Sequence, residues 1–420
     1  MMSPTHPQRW ISRTCPRSAT VALVLAVTLE LAVFAAQSLQ GQGFETIYSF
    51  AGGVDGANPY ASLIRDKKGT LYSTTTIGGS SSYGTVFALS KSGKETMLHS
   101  FTRGRDGGIP VGSVIRDSAG ALYGTTQVGG DSKCDCGVIF KIPGRTPTQA
   151  LYIFTGATDG ANPFAALIMD KAGNLYGTTE FGGAVGQCFG GLGCGVVFKV
   201  DQNGNEAVLH TFTGSGGDGA NPTSALIQDK HGNFYGTTLQ GGDLRCSLGN
   251  GSGCGTVFKI SKTGRETVLY RFAGGTDGAF PIAGVTLDAA GVLYGTTQAG
   301  GDSSKCFPGC GTVFKLDITG AETVLYRFTG GTDGATPFAG VIVDETGNLY
   351  GAAMHGGNSD GNGAVYKIDT AGKEIVLHTF SGPEGYLPRG GLIRDAKGRL
   401  YGTTSGGGTS GFGTVFRITP

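Results

Sequence analysis

The chain has 420 residues, 78 of them glycine with no Gly-x-y period, which excludes a collagen-like fibre. Charged residues are sparse, the net charge is +1 and no polybasic run occurs, so neither nucleic acid nor anionic lipid is an expected partner. The apolar content suits a folded chain rather than a disordered one.

The N-terminus reads as an export signal covering residues 1–38. Arg9, Arg13 and Arg17 form a basic start, and Ala19 to Ala36 is an apolar run broken only by Thr20, Thr28 and Glu30. Val33 and Ala35, or Ala36 and Ser38, supply the small-residue cleavage pattern. An uncleaved anchor helix is the alternative, but Glu30 and the short length favour cleavage. No later segment is apolar enough to span a membrane as a helix, so the mature chain, 39–420, is expected to be exported, without a membrane span, and monomeric.

From there on the chain is one motif repeated. An ETVLYRF-like run ends at Phe50, Phe101, Phe154, Phe212, Phe272, Phe328 and Phe380, at an average step of 55 residues. A DG or EG turn and a proline follow (Pro59, Pro110, Pro163, Pro222, Pro281, Pro337, Pro388). Next comes a short apolar run ending at an aspartate (Asp66, Asp117, Asp170, Asp229, Asp288, Asp344, Asp395). An LYGTT-like run, a Gly-Gly and a GTVFK-like run complete the unit.

Each unit thus holds four short runs rich in β-branched and aromatic residues, bounded by turn residues, and no window carries a helical apolar period. Four strands at this spacing predict an all-β, seven-bladed propeller. The strands are named A (ASLI), B (LYGTT), C (GTVF) and D (ETVLY), from the axis outward. The mature chain opens on a D strand, Glu45 to Phe50, and ends on a C strand, Gly413 to Ile418, so the first D strand is expected to complete the last blade and hide both edges. A parallel solenoid would give this offset no purpose. The Asp-x-x-Gly between A and B reads as a turn, with the aspartate as acceptor and Gly at positive φ, rather than as a ring of ligands.

The sequence GNLYGTT, Gly-Gly, GTVFK, ETVLY, DGANP is similar to the tandem GloVer repeat of bacterial secreted proteins, over residues 44 to 420. That resemblance implies export and the repeat class, and implies no substrate or catalytic residue. The D-x-x-G-N-L-Y piece also looks like the blades of NHL propellers, which implies the same strand order.

Comparing the seven copies shows where they differ. The A–B and C–D turns keep their length, whereas the B–C loop holds 4, 6, 11, 12, 9, 5 and 4 residues in blades one to seven. The D–A connection also varies, by one residue each way. Both segments should emerge on one face, and loops that vary on a fixed scaffold are where binding resides, neutral drift being the alternative. Cys134/Cys136, Cys188/Cys194, Cys246/Cys254 and Cys306/Cys310 fall as local pairs in these loops and read as disulfides in an exported chain. The short spacing makes Cys134/Cys136 the pair most open to a free state. Zinc ligation by the cysteines is the alternative, but no histidine stands near enough to complete a site.

Candidate ligand contacts on this face are Asp131, Lys133, Phe181, Phe189, Asp243, Arg245, Asp302, Lys305 and Phe307, with His355, Tyr386 and Arg389 as departures from the repeat in blades six and seven. No metal site, cofactor or catalytic group is expected: strand A carries small or apolar residues, and His99, His210 and His378 align with the strand D tyrosines and read as structural. Arg65, Arg116 and Arg394 share one position on the opposite face and are expected to pair with nearby turn aspartates. These features favour an exported, non-catalytic binding or scaffold module for carbohydrate, a cell-envelope component or protein. The alternatives are a propeller-type lyase or hydrolase with its site at the channel mouth, and a purely structural surface protein.

Overall fold

The computed structural model describes residues 43–420 except Ser132, Arg145, Thr146, Ser247, Gly249, Asn250 and Ile318, so the export signal expected at 1–38 lies outside the described residues. Seven four-stranded sheets follow one another along the chain. Blade one is representative, with A Ile64–Arg65, B Leu71–Thr75, C Thr85–Leu89 and D Glu95–Ser100 in that order. Its neighbours within the sheet run antiparallel. The seventh sheet joins Ile393–Arg394, Leu400–Thr404 and Thr414–Thr419 to Gly43–Ser49, so the first strand of the chain closes the last blade. The molecule is a seven-bladed β-propeller closed by its two termini.

Strand A is shorter than its apolar run. Only the last residue of ASLI and the arginine after it enter the sheet. The earlier residues face the axis, where no further strand exists to pair with them. Their carbonyls are satisfied from the side instead: the Thr74 hydroxyl donates to the Gly112 carbonyl of the next blade at 3.2 Å, and Thr125 does the same to Ala165 at 2.9 Å.

The core lies between blades. The strand D phenylalanine of each blade meets the strand C aromatic of the next edge to face, as in Phe50 on Phe87 at 5.1 Å and Phe328 on Tyr366 at 5.0 Å. All seven such pairs are present and fully buried. The strand C ring also explains the glycine of LYGTT: a Cβ on Gly124 would lie 2.5 Å from the Phe140 ring.

A bulge, absent from the sequence reading, interrupts the C–D pairing. In blade one Val86 pairs with His99 and Phe87 with Met97, leaving Leu98 without an opposite residue, and the same slip recurs in blades two to six. The side chain after the bulge then reaches an acid in the following connection. Tyr48 bonds Asp55 at 3.0 Å, Tyr152 Asp159 at 2.9 Å, Tyr270 Asp277 and Tyr326 Asp333 at 3.1 Å. His99 faces Asp106 and His378 faces Glu384, each at 3.1 Å. The aligned histidines are thus part of a repeated clasp.

The A–B turn aspartates behave as turn formers. Asp170 accepts the backbone N–H of Ala172 and Asn174 at 2.9 Å, and Tyr176 closes onto it at 3.0 Å. A tyrosine hydroxyl meets the aspartate in every blade. These aspartates are therefore occupied, and the expected pairing of Arg65, Arg116 and Arg394 with them does not form. Arg65 lies over the Tyr401 ring, Arg116 over Tyr72 and Arg394 over Tyr350, with each guanidinium carbon 5.8 to 6.0 Å from the ring centre, and Arg394 pairs with Glu345 at 3.0 Å.

Candidate functional site

The B–C loops and D–A connections share one face because their roots pair directly. Ala57 bridges Ile77, Gly108 bridges Val128, Ala161 bridges Phe181, and the remaining blades repeat the contact. The residue before each connection proline is held at positive φ, from Asn58 at 53° to Phe280 at 58°, and its N–H donates to a carbonyl at the end of a B–C loop. The variable loops are therefore set by the same backbone that leads into the axis.

All four cysteine pairs are disulfides: Cys134–Cys136, Cys188–Cys194, Cys246–Cys254 and Cys306–Cys310. Cys134 and Cys136, open to a free state on sequence grounds, are joined like the rest. Each bridge sits on the first glycine of the following D–A connection. A Cβ on Gly156, at φ +76°, would lie 2.5 Å from Cys134 Sγ. Blade seven places the Phe412 ring over Gly52 instead. In blade one Tyr83 underlies Arg103, which pairs with Asp135 of the next blade.

The sequence-derived contacts have distinct local roles. Asp131, Asp243 and Asp302 stand at the same point of their loops and accept the N–H two residues on, from Lys133 at 2.9 Å, Arg245 at 3.0 Å and Ser304 at 3.0 Å. The Arg245 side chain doubles back onto Asp243 at 2.9 Å and holds that carboxyl down to about 2, while its own surface stays 90% exposed. Lys133 and Lys305 are exposed. Phe181 packs against the core of its blade. Phe189 falls in the 3-10 turn Phe189–Gly191, with its side chain outside the described set. His355 is exposed and its backbone bridges Ala335, and Tyr386 covers Gly406. These residues do not converge on one point.

Apolar side chains do mark this face. Of the nine large hydrophobics exposed among the described residues, Met97 and Leu98 belong to a strand D and the other seven sit in B–C loops or D–A connections. The long loops of blades three to five each carry at least one: Val185 and Leu192, Leu244, and Phe307, which is 91% exposed.

The axial mouth was missed by sequence reasoning in one respect. It is lined by the residue directly after each connection proline: Tyr60, Val111, Phe164, Thr223, Ile282, Phe338 and Arg389, with small residues below them. The aligned column is legible in the sequence, but its convergence on the axis is not. The opening holds a cavity of about 160 Å³. Arg389 is the one charged side chain among its lining residues, and its guanidinium lies 4.3 Å from the Tyr60 ring centre and 5.6 Å from Phe338. Tyr60 and Phe338 meet edge to face at 6.4 Å. Arg389 Nε is buried without a partner, and burial lowers the group's affinity for its proton.

No described helix is long and apolar enough to cross a membrane. Overlapping matches to the model of the Gloeobacter/Verrucomicrobia repeat run over residues 32–249, 93–307 and 303–420. The chain belongs to that repeat family. No curated protein matches it in sequence. Among solved structures, the extracellular domain assigned to a one-component system of B. thetaiotaomicron is 13% identical, with a TM-score of 0.54 over 90% of this chain and 41% of that one. A gluconolactonase from Xanthomonas campestris is 13% identical, TM-score 0.41, over 90% and 89%. A luciferin-regenerating enzyme is 14% identical, TM-score 0.42, over 73% and 90%. At 13% identity the likeness to the extracellular domain shows a shared fold alone, and nothing about the chemistry of any of these proteins carries over.

Proposed function

We propose that this member of the repeat family is an exported, non-catalytic binding module whose ligand docks on the face of the B–C loops and D–A connections, with carbohydrate or another cell-envelope polymer as the ligand class. The observation that carries this reading is Arg389 set against Tyr60 and Phe338 at the axial mouth. Aromatic faces stack on sugar rings, and a guanidinium with an unpartnered Nε suits a carboxylate or phosphate on the polymer. The apolar tips Val185, Leu192, Leu244 and Phe307 supply a rim for an extended ligand. Four disulfides fit an oxidising compartment and hold the loops in place before binding, which lowers the ordering cost. General acid–base chemistry would need a second ionisable partner beside Arg389, and the mouth offers the Tyr60 phenol alone.

The test is a binding screen of the purified protein against neutral and acidic polysaccharides and envelope fractions, beside R389A and a variant with the loops of blades three to five trimmed to blade-one length. Binding of an acidic polymer that falls by ~10-fold or more in R389A is the expected result, the loss of a charge-assisted contact. Binding that survives both changes, or no binding to any fraction, would overturn the reading.

A further inference from the structure

Every seam between blades brings together three side chains near the rim: the strand D Tyr or His of one blade, the acid of the connection that follows, and the residue that opens strand D of the next blade. Four seams combine Tyr, Asp and Glu, as in Tyr326, Asp333 and Glu374. Where His replaces Tyr, the third residue usually changes too. It is Thr148 beside His99 and Asp106, and Phe44, stacked on the imidazole at 3.9 Å, beside His378 and Glu384. The seam between blades three and four departs from both patterns, for it unites His210, Asp218 and Glu266.

That seam is also opened. Its D–A connection is one residue longer than the usual length, through the run Ser215-Gly216-Gly217. His210 Nε2 stands 3.6 Å from Asp218 Oδ1, beyond hydrogen-bond reach, where His99 and Asp106 are at 3.1 Å. His210 Nε2 and Glu266 Oε1 are both buried with no hydrogen-bond partner. Asp218 Oδ2 is spent on the Thr213 N–H and hydroxyl, while Oδ1 takes the Gly219 N–H and turns toward the histidine. The strand-opening glutamates of four other seams also carry an unpartnered Oε1, but only here does it share its seam with an unpartnered imidazole nitrogen and an aspartate, a set of three ligand atoms that a cation would satisfy.

We propose that His210 Nε2, Asp218 Oδ1 and Glu266 Oε1 form a binding site for a divalent transition-metal ion of the zinc type. The three atoms lie within 4.8 Å of one another, so a modest closure brings each to the ~2 Å at which zinc takes imidazole nitrogen and carboxylate oxygen. One imidazole among two carboxylates selects zinc-like ions over calcium or magnesium, which prefer oxygen alone. A fourth position stays open to water. The ion would tie blade three to blade four beneath the two longest B–C loops.

The repeat itself supplies the variants. Tyr occupies position 210 in four other copies, so H210Y replaces a ligand by a residue the fold already accommodates, and E266Q keeps the shape of the glutamate while removing its charge. Purified wild-type protein is titrated with Zn2+ by calorimetry, and thermal unfolding is followed with and without the ion. The expected result is one Zn2+ bound per chain and a raised unfolding temperature in wild type, with both lost in H210Y and E266Q while their circular dichroism stays that of the wild type. Absence of stoichiometric binding to wild type, or unchanged stoichiometry in both variants, overturns the proposal. Cobalt as a probe adds a second readout, a tetrahedral absorption band that appears in wild type and is missing in H210Y.

Discussion

The Thr403 hydroxyl donates to the Ala61 carbonyl at 3.1 Å, a bond between residues 342 positions apart that fastens the last blade to the first. The same threonine acts at five other seams, from Thr74, Thr125, Thr178, Thr237 and Thr296. Blade six carries Ala352 there, fully buried, so its seam with blade seven lacks the clamp. T403V should lower unfolding free energy by about 1 kcal/mol, the net worth of one buried hydrogen bond. Chemical denaturation measures it, and T296V, at an internal seam, should cost a similar amount.

Ile109 sits at φ 55° in the position where Asn58, Asn162 and Asn221 hold 53 to 57°. A β-branched side chain is strained there, whereas Asn tolerates the left-handed region and can donate across the connection as Asn162 does to Gln127 at 2.9 Å. I109N should raise stability by about 1 kcal/mol. An unchanged or lowered denaturation midpoint would contradict this.

In the clasp at the seam of blades five and six, Asp333 accepts the Tyr326 hydroxyl at 3.1 Å, the Thr329 N–H and hydroxyl at 2.7 Å and the Gly331 N–H at 3.1 Å. Y326F removes one of these and should cost about 1 kcal/mol. D333A strips partners from several donors at once and should cost more, about 2–3 kcal/mol. Equal losses would show that the tyrosine carries the clasp.

Glu206, Glu322 and Glu374 open three D strands, and burial together with the nearby Asp159, Asp277 and Asp333 pushes each up to about 7; Arg327 pulls against this at Glu322. The folded form thus holds protons the unfolded chain has released above its ordinary 4.5. The stability these groups give is complete below that value and is lost as pH rises through about 7. Asp170, Asp229 and Asp395 act the other way. Burial opposes their charge, but bonds from Asn174, Asn233 and Arg399 outweigh it and hold them low, so their contribution fades as pH falls through the folded values. The unfolding temperature should be higher at mildly acidic pH than at pH about 8, and E206Q/E322Q/E374Q should flatten that decline.

Replacing Cys188 and Cys194 by serine should cost about 2 kcal/mol, the chain entropy of so short a loop. The far-ultraviolet spectrum should not change, because the blade strands do not depend on the bridge. Titration of the native protein with a thiol reagent should find none of the eight loop cysteines reactive.

The sequence by itself determined the repeat, the blade count, the strand order and the closure at the termini. A spacing that recurs seven times leaves one arrangement in which every apolar run is covered and every edge is paired. It also determined the pairing of the cysteines, since partners four to eight residues apart in Cys188–Cys194, Cys246–Cys254 and Cys306–Cys310 are already neighbours along the chain. Only the tertiary structure decided what happens between blades. The Tyr–Asp clasps depend on a bulge that leaves no mark on strand periodicity, and Arg389 meets Tyr60 and Phe338 because three aligned residues, far apart in sequence, turn toward one axis. Contacts across a ring form between copies of the repeat, so spacing within one copy cannot reveal them.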